Sequence, residues 1–404
     1  MPDKRRPASP APETEKRAWL VDTARQAVDG SFEPLVDSVF MLVAIGFFAT
    51  GDFWKGLIAG SKFLGYLLSA PLTGFLNRSG VRRSSVLCAL TGLSAASLAA
   101  ATLAPGGVLF AISAATASAA LNLRQPFFTD LYGESYPAAR RARRISLGLR
   151  LSLLASLGTG LLYGRILEAD LSLWRWITGG VAVVMVAASV MIRTLPEGTP
   201  VPRSECWWQA LALPFRNPVF LYVQAAWMFV GFGNIWTLPL RAVYLAESGR
   251  GLGLSPATVT LVLVIVPAAA RFAFNPMWAA LYRKMSFPAL RVTINTFFMT
   301  SIPLFFLTDS LPVILAAAAL FGIATSGSPF IWQLWVTRIV APGEVRLYQS
   351  AHAFLAGVRG VIAPFIGFAV LGGMSFREMG LLSGVLTAIS SLMMIPLMRK
   401  DRIF

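Results

Sequence analysis

Residues 173–192 read LWRWITGGVAVVMVAASVMI, an almost wholly apolar run in which Arg175 is the one charged residue. The hydrocarbon core of a bilayer is about 30 Å thick, and about 20 apolar residues cross it as an α-helix. Only helices and closed barrels satisfy every backbone hydrogen bond in lipid, and a barrel strand needs only about 10 residues. The run therefore predicts a transmembrane helix.

Segments of this kind recur almost end to end through the 404 residues, of which 56% are hydrophobic and 13% are charged. A soluble protein of this length has too little interior to bury so much apolar surface. We expect spans at 19–45, 53–76, 84–103, 107–131, 145–167, 173–192, 219–245, 257–281, 290–307, 312–337, 347–371 and 379–398. The predicted fold class is an all-α polytopic membrane protein with twelve transmembrane helices.

Basic residues give the chain a formal charge of +16, and most of them fall on one side of the predicted spans. The tail before the first span and the loops after spans 2 and 4 are rich in them, as at Arg83, Arg140 and Arg144, whereas Arg165 and Arg250 are among the few on the other side. Cytoplasmic loops carry an excess of Lys and Arg. We therefore expect a multi-pass protein of the cell (inner) membrane with both termini cytoplasmic, and no binding of nucleic acid.

A polar, proline-rich segment divides the chain into two halves of six predicted spans each. The organisation that we predict is a disordered cytoplasmic tail (1–18), an N-terminal six-helix bundle (19–193), a cytoplasmic linker (194–217) and a C-terminal six-helix bundle with a short tail (218–404). Trp207 and Trp208 indicate an interfacial helix within the linker. Parallel six-helix repeats suit a transporter that rocks about a central site.

The loop after span 2 reads NRSGVRR at residues 77–83. It resembles the signature loop of the major facilitator superfamily, in which an acidic residue, a basic residue, a glycine and further basic residues follow one another. Asn77 stands at the acidic position and Val81 at a basic one, so the charged latch of that loop is missing here. We expect the gating loop to consist of Asn77, Arg78, Gly80, Arg82 and Arg83.

This resemblance, together with the two sets of six spans, implies the fold of the superfamily, with two six-helix bundles around a central cavity. It also implies that spans 1, 4, 7 and 10 line that cavity and that spans 8 and 11 lie beside it. It does not identify a subfamily.

The first span is unusual for its acidic residues, which are Asp22, Asp29, Glu33 and Asp37. Intervals of seven, four and four place them on one stripe of a helix. Acids are costly in lipid unless they face protein or water, so we expect Asp29, Glu33 and Asp37 to bind the coupling proton or a cationic part of a substrate. The alternative is that residues 19–30 lie flat on the membrane, with Asp22 and Asp29 in water.

Polar and aromatic residues in other spans complete the predicted substrate and proton pathway. They are Arg124 and Gln125 in span 4, Asn234 and Trp236 in span 7, Arg271 in span 8, Ser328, Trp332 and Gln333 in span 10, and Arg359 in span 11. An arginine inside a span is usually paired. Arg124 is expected to pair with an acid of span 1, to bind an anionic substrate group or to reach the cytoplasmic surface, and Lys62 and Arg241 to reach the membrane surface.

These features favour a secondary active transporter that moves a small organic solute by alternating access, coupled to protons. A proton-driven efflux pump for amphipathic compounds and a non-transporting receptor or scaffold remain as alternatives. No phosphate-binding loop, catalytic constellation or metal-ligand spacing occurs in the sequence. We expect no enzyme activity, metal or cofactor. The expected partners are a small-molecule substrate, a proton and the lipid bilayer, with the chain as a monomer.

Overall fold

The computed structural model describes residues 12–79, 81–136, 138–195, 213–336, 339–340 and 345–398, and the regular structure in these ranges is helical. The helices of the first half are helix 1 (Pro12–Pro34, continued by Leu35–Val39, Phe40–Leu42 and Val43–Phe47), helix 2 (Asp52–Ser79), helix 3 (Arg83–Thr102), helix 4 (Gly107–Leu123, continued by Gln125–Ser135), helix 5 (Ala138–Ala169) and helix 6 (Trp174–Ile192). Those of the second half are helix 7 (Pro218–Ile235, continued by Thr237–Ala246), helix 8 (Pro256–Thr260, Leu261–Ile265 and Val266–Lys284), helix 9 (Phe287–Phe306), helix 10 (Leu311–Leu334), helix 11 (Val345–Leu371) and helix 12 (Phe376–Met398).

Eleven of the helices in the described ranges are long and apolar enough to cross a membrane. Helix 2 is the twelfth. It has 28 residues, about 42 Å at 1.5 Å per residue, and it connects two helices that do cross. The chain is therefore a multi-pass membrane protein. We call the side on which helix 1 begins the near side, and the side on which helix 1 ends the far side.

The two halves repeat the same packing as two six-helix bundles. Helices 1 and 5, 2 and 4, 3 and 4, and 3 and 6 pack together in the first bundle; helices 7 and 11, 8 and 10, 9 and 10, and 9 and 12 pack together in the second. The bundles meet along two equivalent seams, helix 2 against helix 11 and helix 5 against helix 8. This pseudo-symmetric interface is where the polar residues of helices 1 and 8 meet.

Glycines allow close helix contact at both seams, from the middle of the helices toward the far side. A Cβ on Gly357 would lie 2.5 Å from the Leu67 backbone nitrogen, and a Cβ on Gly360 would lie 2.0 Å from the Phe63 ring. At the other seam Gly164 faces Thr260. Small residues let helix backbones approach closely in membranes, so these glycines allow the bundles to pack closely there.

Prolines explain two of the helix irregularities. Pro239 has no N–H to bond the carbonyl four residues earlier, at Ile235, and helix 7 is interrupted at Trp236. Pro126 is the second residue of the second part of helix 4, just after the interruption at Arg124. Helix 10, in contrast, is continuous, although its Gly327 and Pro329 predict a break.

Two predicted ends are wrong because hydropathy does not mark helices that extend beyond a membrane. Helix 1 begins at Pro12, not Trp19, so the predicted tail 1–18 runs too far; Glu13 and Glu15 in the first turn favour this end of a helix. Helix 5 begins at Ala138, so the basic residues after span 4 continue on helical backbone. The predicted interfacial helix at Trp207 and Trp208 lies outside the described residues.

Candidate functional site

Asp22 is the centre of a buried polar network inside the first bundle. Its Oδ1 accepts hydrogen bonds from Arg25 Nε and Nη2 at 3.0 and 2.7 Å and from the Tyr132 hydroxyl at 3.2 Å. Its Oδ2 accepts from Gln26 Nε2 at 2.8 Å and from the Tyr136 hydroxyl at 3.2 Å. The Asp22 side chain is 2% exposed. Residues 19–30 therefore belong to the bundle, and the alternative in which they lie flat on the membrane is wrong.

Asp29, two turns further along helix 1, continues this network. It is ion-paired with Arg25 and accepts a hydrogen bond from Arg124 Nη2 at 2.7 Å. Arg124 also donates from Nη1 to the Thr91 hydroxyl at 3.0 Å and from Nε to the Leu121 carbonyl at 3.2 Å. Of the partners expected for Arg124, the acid of helix 1 is the one present.

Arg25 is held from two sides. Its guanidinium stacks over the Phe128 ring at 3.9 Å, and its Nη2 donates to the Tyr132 hydroxyl at 3.0 Å. Buried charges are tolerated when they are paired and their hydrogen bonds are met. This part of the acidic stripe is therefore a satisfied structural network that ties helix 1 to helix 4.

Glu33 and Arg271 form an ion pair between the two bundles. Arg271 Nη1 donates to Glu33 Oε1 at 2.8 Å, and the two side chains are 26% and 29% exposed. Arg271 stands near the middle of helix 8, where Glu33 reaches it from helix 1. Arg271 Nε is buried and has no partner in the described residues. The pair thus lies at the seam between the bundles with one arginine donor unused.

Asp37 follows Glu33 by four residues and contacts a second cation. Its Oδ1 lies 3.8 Å from Lys62 Nζ of helix 2, and both side chains are about one third exposed. The prediction that Lys62 reaches the membrane surface is therefore wrong. Two carboxylates and two cations form a neutral quartet, and it joins helices 1, 2 and 8.

One residue of the quartet, Asp37, lies in a π-helical turn, Leu35–Val39, that directly follows Pro34. A proline has no N–H to donate and is a common cause of such irregular turns. The turn places Asp37 on the face that also carries Glu33. Ser38, the residue after Asp37 in the turn, bonds across the same seam to the Thr260 hydroxyl at 3.0 Å.

Arg359 lies inside the second bundle. Its Nη1 donates to the carbonyl of Trp227, and its guanidinium occupies the space left by Gly231, whose Cβ would meet it at 2.0 Å. Trp332, from helix 10, packs against His352 with 4.2 Å between ring centroids. These two predicted residues therefore lie close together, around Trp227 and His352.

The structure does not bring the other predicted residues into these clusters. Trp236 lies between helices 7 and 12, where its Nε1 donates to the Ser383 hydroxyl at 2.6 Å. Ser328 donates to the Ala324 carbonyl of its own helix at 3.2 Å. Asn234 has a buried Oδ1 without a partner in the described residues, and Gln125 is exposed.

Several predicted residues fall outside what the structure describes. Gly80 and the side chains of Asn77, Arg78 and Gln333 are among them. Arg82 is exposed and immediately precedes helix 3, which Arg83 begins. The gating loop therefore stays a prediction.

Sequence reasoning missed a cluster on the far side that also joins the bundles. Arg250 donates from Nη1 and Nη2 to the two carboxylate oxygens of Asp52, both at 2.8 Å. Lys55 lies 3.3 Å from Glu247 and 3.4 Å from Asp52. We call Asp52, Lys55, Glu247 and Arg250 the far-side cluster. Its members are 192 or more residues apart between the halves, so no local pattern reveals it.

Arg241 is also misplaced by the sequence prediction. It is 4% exposed, and its guanidinium stacks over the Phe321 ring at 3.8 Å inside the second bundle, so it does not reach the membrane surface. The residues that the structure describes contain no group of three or more acidic, histidine or cysteine side chains suited to a metal ion.

No protein-family model and no curated protein sequence matches the chain. Its fold is nevertheless similar to solved transporter structures over nearly its whole length. A mutant of the nucleoside transporter NupG matches with a TM-score of 0.76 at 11% identity, covering 95% of this chain and 99% of that one.

Two further solved transporter structures are also similar to this chain. A POT family transporter in complex with a thioalcohol-conjugated peptide has a TM-score of 0.74 at 10% identity, covering 96% and 97% of the two chains. The D-xylose-proton symporter has a TM-score of 0.72 at 16% identity, covering 94% and 97%. The chain therefore has the major facilitator fold, and no subfamily is identified.

Proposed function

We propose that the chain is a secondary active transporter that moves a small organic solute by alternating access and couples this movement to protons. The observation that carries the proposal is the ion pair between Glu33 of the first bundle and Arg271 of the second, near the middle of the membrane. The similar structures include transporters of a nucleoside and of xylose with a proton. We further propose a cytoplasmic membrane location, cytoplasmic termini and a monomer.

Alternating access requires the two bundles to separate on one side while they close on the other. The described contacts hold them together at the far side through the far-side cluster and, toward the middle of the helices, through the glycines of both seams. A conformation open to the far side must break these contacts. It must also lengthen or exchange the Glu33–Arg271 pair, which lies between the bundles.

Protonation provides a physical route for this exchange. A neutral Glu33 loses its Coulomb attraction to Arg271, and the freed guanidinium can then meet an anionic group of the solute or the carboxylate of Asp37. Because Asp37 lies one helical turn away and already faces Lys62, the quartet has two carboxylates to share a proton. We propose Glu33 and Asp37 as the coupling residues. Asp29 is assigned to the buried network, since both of its carboxylate oxygens are occupied.

The test is solute-driven proton movement in proteoliposomes that contain a trapped pH dye. Uridine, xylose, a dipeptide and benzoate are added separately to vesicles without a pH gradient. We expect one of them to change the internal pH in vesicles with protein and not in protein-free vesicles. The Glu33→Gln variant should lose the signal. Asp170→Asn, which neutralises an exposed carboxylate in the loop before helix 6, should keep it.

Counterflow of the same solute then separates transport from coupling. A coupled transporter with Glu33→Gln should still exchange labelled for unlabelled solute, because exchange needs no net proton transfer. Solute flux with no proton signal in the unmodified protein would contradict coupling. The absence of any flux with a solute that demonstrably binds would favour a receptor or scaffold.

A further inference from the structure

In the described part of the chain, the interior of the second bundle contains three buried arginines and no carboxylate to pair with them. Arg241, Arg291 and Arg359 are 4%, 3% and 5% exposed. The described acidic residues of this half, Glu247, Asp309 and Glu378, lie at the far-side ends of the helices, and none of them forms an ion pair with these arginines. An unpaired charge in such surroundings costs several kcal/mol.

Two of the three arginines lie together. The Arg291 guanidinium stacks over the Trp227 ring at 3.8 Å, and Arg359 Nη1 donates to the carbonyl of the same tryptophan. The two guanidinium charges repel each other and disfavour a charge on His352. The His352 ring centroid is 4.8 Å from that of Trp227. We call Arg291, Arg359 and His352 the basic cluster. Two like charges buried together away from water raise the free-energy cost of burial further, unless an anion neutralises them.

Polar atoms in this cluster are unused. Arg359 Nε and His352 Nε2 are buried and have no hydrogen-bond partner in the described part of the chain. His352 Nδ1 lies 2.7 Å from Gln224 Oε1. An amide oxygen only accepts, so Nδ1 donates and Nε2 is left as an acceptor. Buried polar groups in native proteins are normally satisfied, so these atoms point to a missing partner.

Aromatic side chains lie between the basic cluster and the seam of the bundles. The centroid of the Trp332 ring lies 4.2 Å from that of His352 and 6.2 Å from that of Tyr66 in helix 2, and both pairs of rings are tilted. Trp332 and Tyr66 are both partly buried and come from opposite bundles. A flat apolar group would meet ring faces there, while an acid group reached the arginines.

We propose that the basic cluster binds the acid group of an organic anion whose flat body lies against Trp332 and Tyr66. This inference rests on the proposed function and deepens it, because it makes the transported solute an aromatic or similarly flat carboxylate. Arg291 and Arg359 supply the charge, and Arg359 Nε supplies an unused hydrogen-bond donor. Arg241 is not part of the site, since it packs alone against Phe321 and Phe305.

The test is equilibrium binding of benzoate to the purified protein in detergent, measured by thermal unfolding. A ligand that binds only the folded state raises its apparent stability. Benzoate at saturating concentration should raise the Tm by about 3 °C or more. Benzamide, which has the same ring without the charge, should not. Sodium sulfate at equal ionic strength should also leave the Tm unchanged.

The arginines provide matched variants. Arg291→Gln and Arg359→Gln should each weaken benzoate binding by about tenfold or more, because a charge-assisted hydrogen bond contributes about 1.5–3 kcal/mol. Arg241→Gln removes an equally buried arginine of the same bundle and should keep wild-type affinity. If either glutamine variant fails to fold, the lysine variant at that position keeps the charge and should retain measurable binding.

The proposal would be overturned by no shift with benzoate, by an equal shift with benzamide, or by an equal loss of affinity in Arg241→Gln. An equal shift with sulfate would reduce the site to one for inorganic anions and would also overturn it. The measurement needs no membrane gradient. Failure of the transport proposal would instead appear as benzoate binding without flux in proteoliposomes.

Discussion

Arg271 Nη1 of helix 8 donates to Glu33 Oε1 of helix 1 across 2.8 Å, and this bond joins side chains 238 residues apart in the sequence. It belongs to a quartet that also contains Asp37 and Lys62. The quartet stands between the bundles, whereas Asp22 and Asp29 of the same stripe are enclosed within one bundle. The two parts of the stripe should therefore respond differently to mutation.

Exchanging the charges of the cross-bundle pair tests whether the pair itself matters. Glu33→Arg alone places three cations together at the seam and should abolish transport. The double variant Glu33→Arg with Arg271→Glu restores the pair in reverse and should recover exchange of solute, measured by counterflow. Proton coupling should recover less than exchange, because the carboxylate then stands on the other bundle. Equal activity of the single and double variants would show that the pair has no such role.

Removing Asp22 should destabilise the first bundle. Asp22→Ala leaves Arg25 buried beside a missing partner, and breaking a buried ion pair on one side costs about 3–5 kcal/mol. The expected result is a clear fall in Tm, measured by thermal unfolding in detergent. Glu378→Gln, which changes a fully exposed carboxylate at the start of helix 12, serves as the control and should change the Tm little. A Tm for Asp22→Ala close to wild type would contradict the network described above.

The seam between helices 2 and 11 should not tolerate a side chain at Gly357. An alanine there would bring its Cβ to 2.5 Å from the Leu67 backbone nitrogen, so the helices must move apart. We expect Gly357→Ala to lower the Tm. Gly158→Ala on helix 5 has open space around its Cβ. It should hold or raise the Tm, since alanine favours a helix by up to about 1 kcal/mol over glycine.

The far-side cluster holds the far side closed, and we expect this closure to depend on pH only under acidic conditions. The bidentate hydrogen bond from Arg250 holds the pKa of Asp52, which precedes the predicted span 53–76, below its ordinary value of 3.8. A carboxyl group with a lowered pKa in the closed form stabilises that form fully above its ordinary pKa. This contribution is lost as the pH falls through the lowered value. Closure should therefore be insensitive to Asp52 titration between pH 5 and pH 8.

Spin-label distances across the far side can measure this closure. Leu103 and Leu307 are 81% and 43% exposed, lie on the far side of opposite bundles and are remote in sequence from the cluster. Cysteines placed there, in a background with Cys88 and Cys206 replaced by serine, report the separation. Asp52→Asn should shift the distances to longer values at neutral pH. Unchanged distances in Asp52→Asn would show that the cluster does not hold the far side closed.

Much of the fold followed from local chemistry. The length and hydropathy of each segment predicted the transmembrane helices, and the prolines accounted for the break at Trp236. The acidic stripe predicted that helix 1 enters the bundle, because its carboxylates cannot face lipid. The ends of helices 1 and 5 were predicted wrongly, since their first turns are polar and extend past the apolar segments.

The partners of the buried charges could not be predicted in the same way. Arg271, Lys62 and Arg241 lie on helices whose relative rotation depends on packing across the whole bundle. Rotating a helix by the angle of one residue changes which neighbour each side chain contacts. The far-side cluster and the basic cluster both unite residues from distant parts of the chain. The sequence by itself determined how many helices cross the membrane and which of them carry charge, because hydropathy and periodicity are local. Only the tertiary structure decided which charges are paired within a bundle, which are paired across the seam and which are left without a partner, because those contacts depend on how separate helices pack.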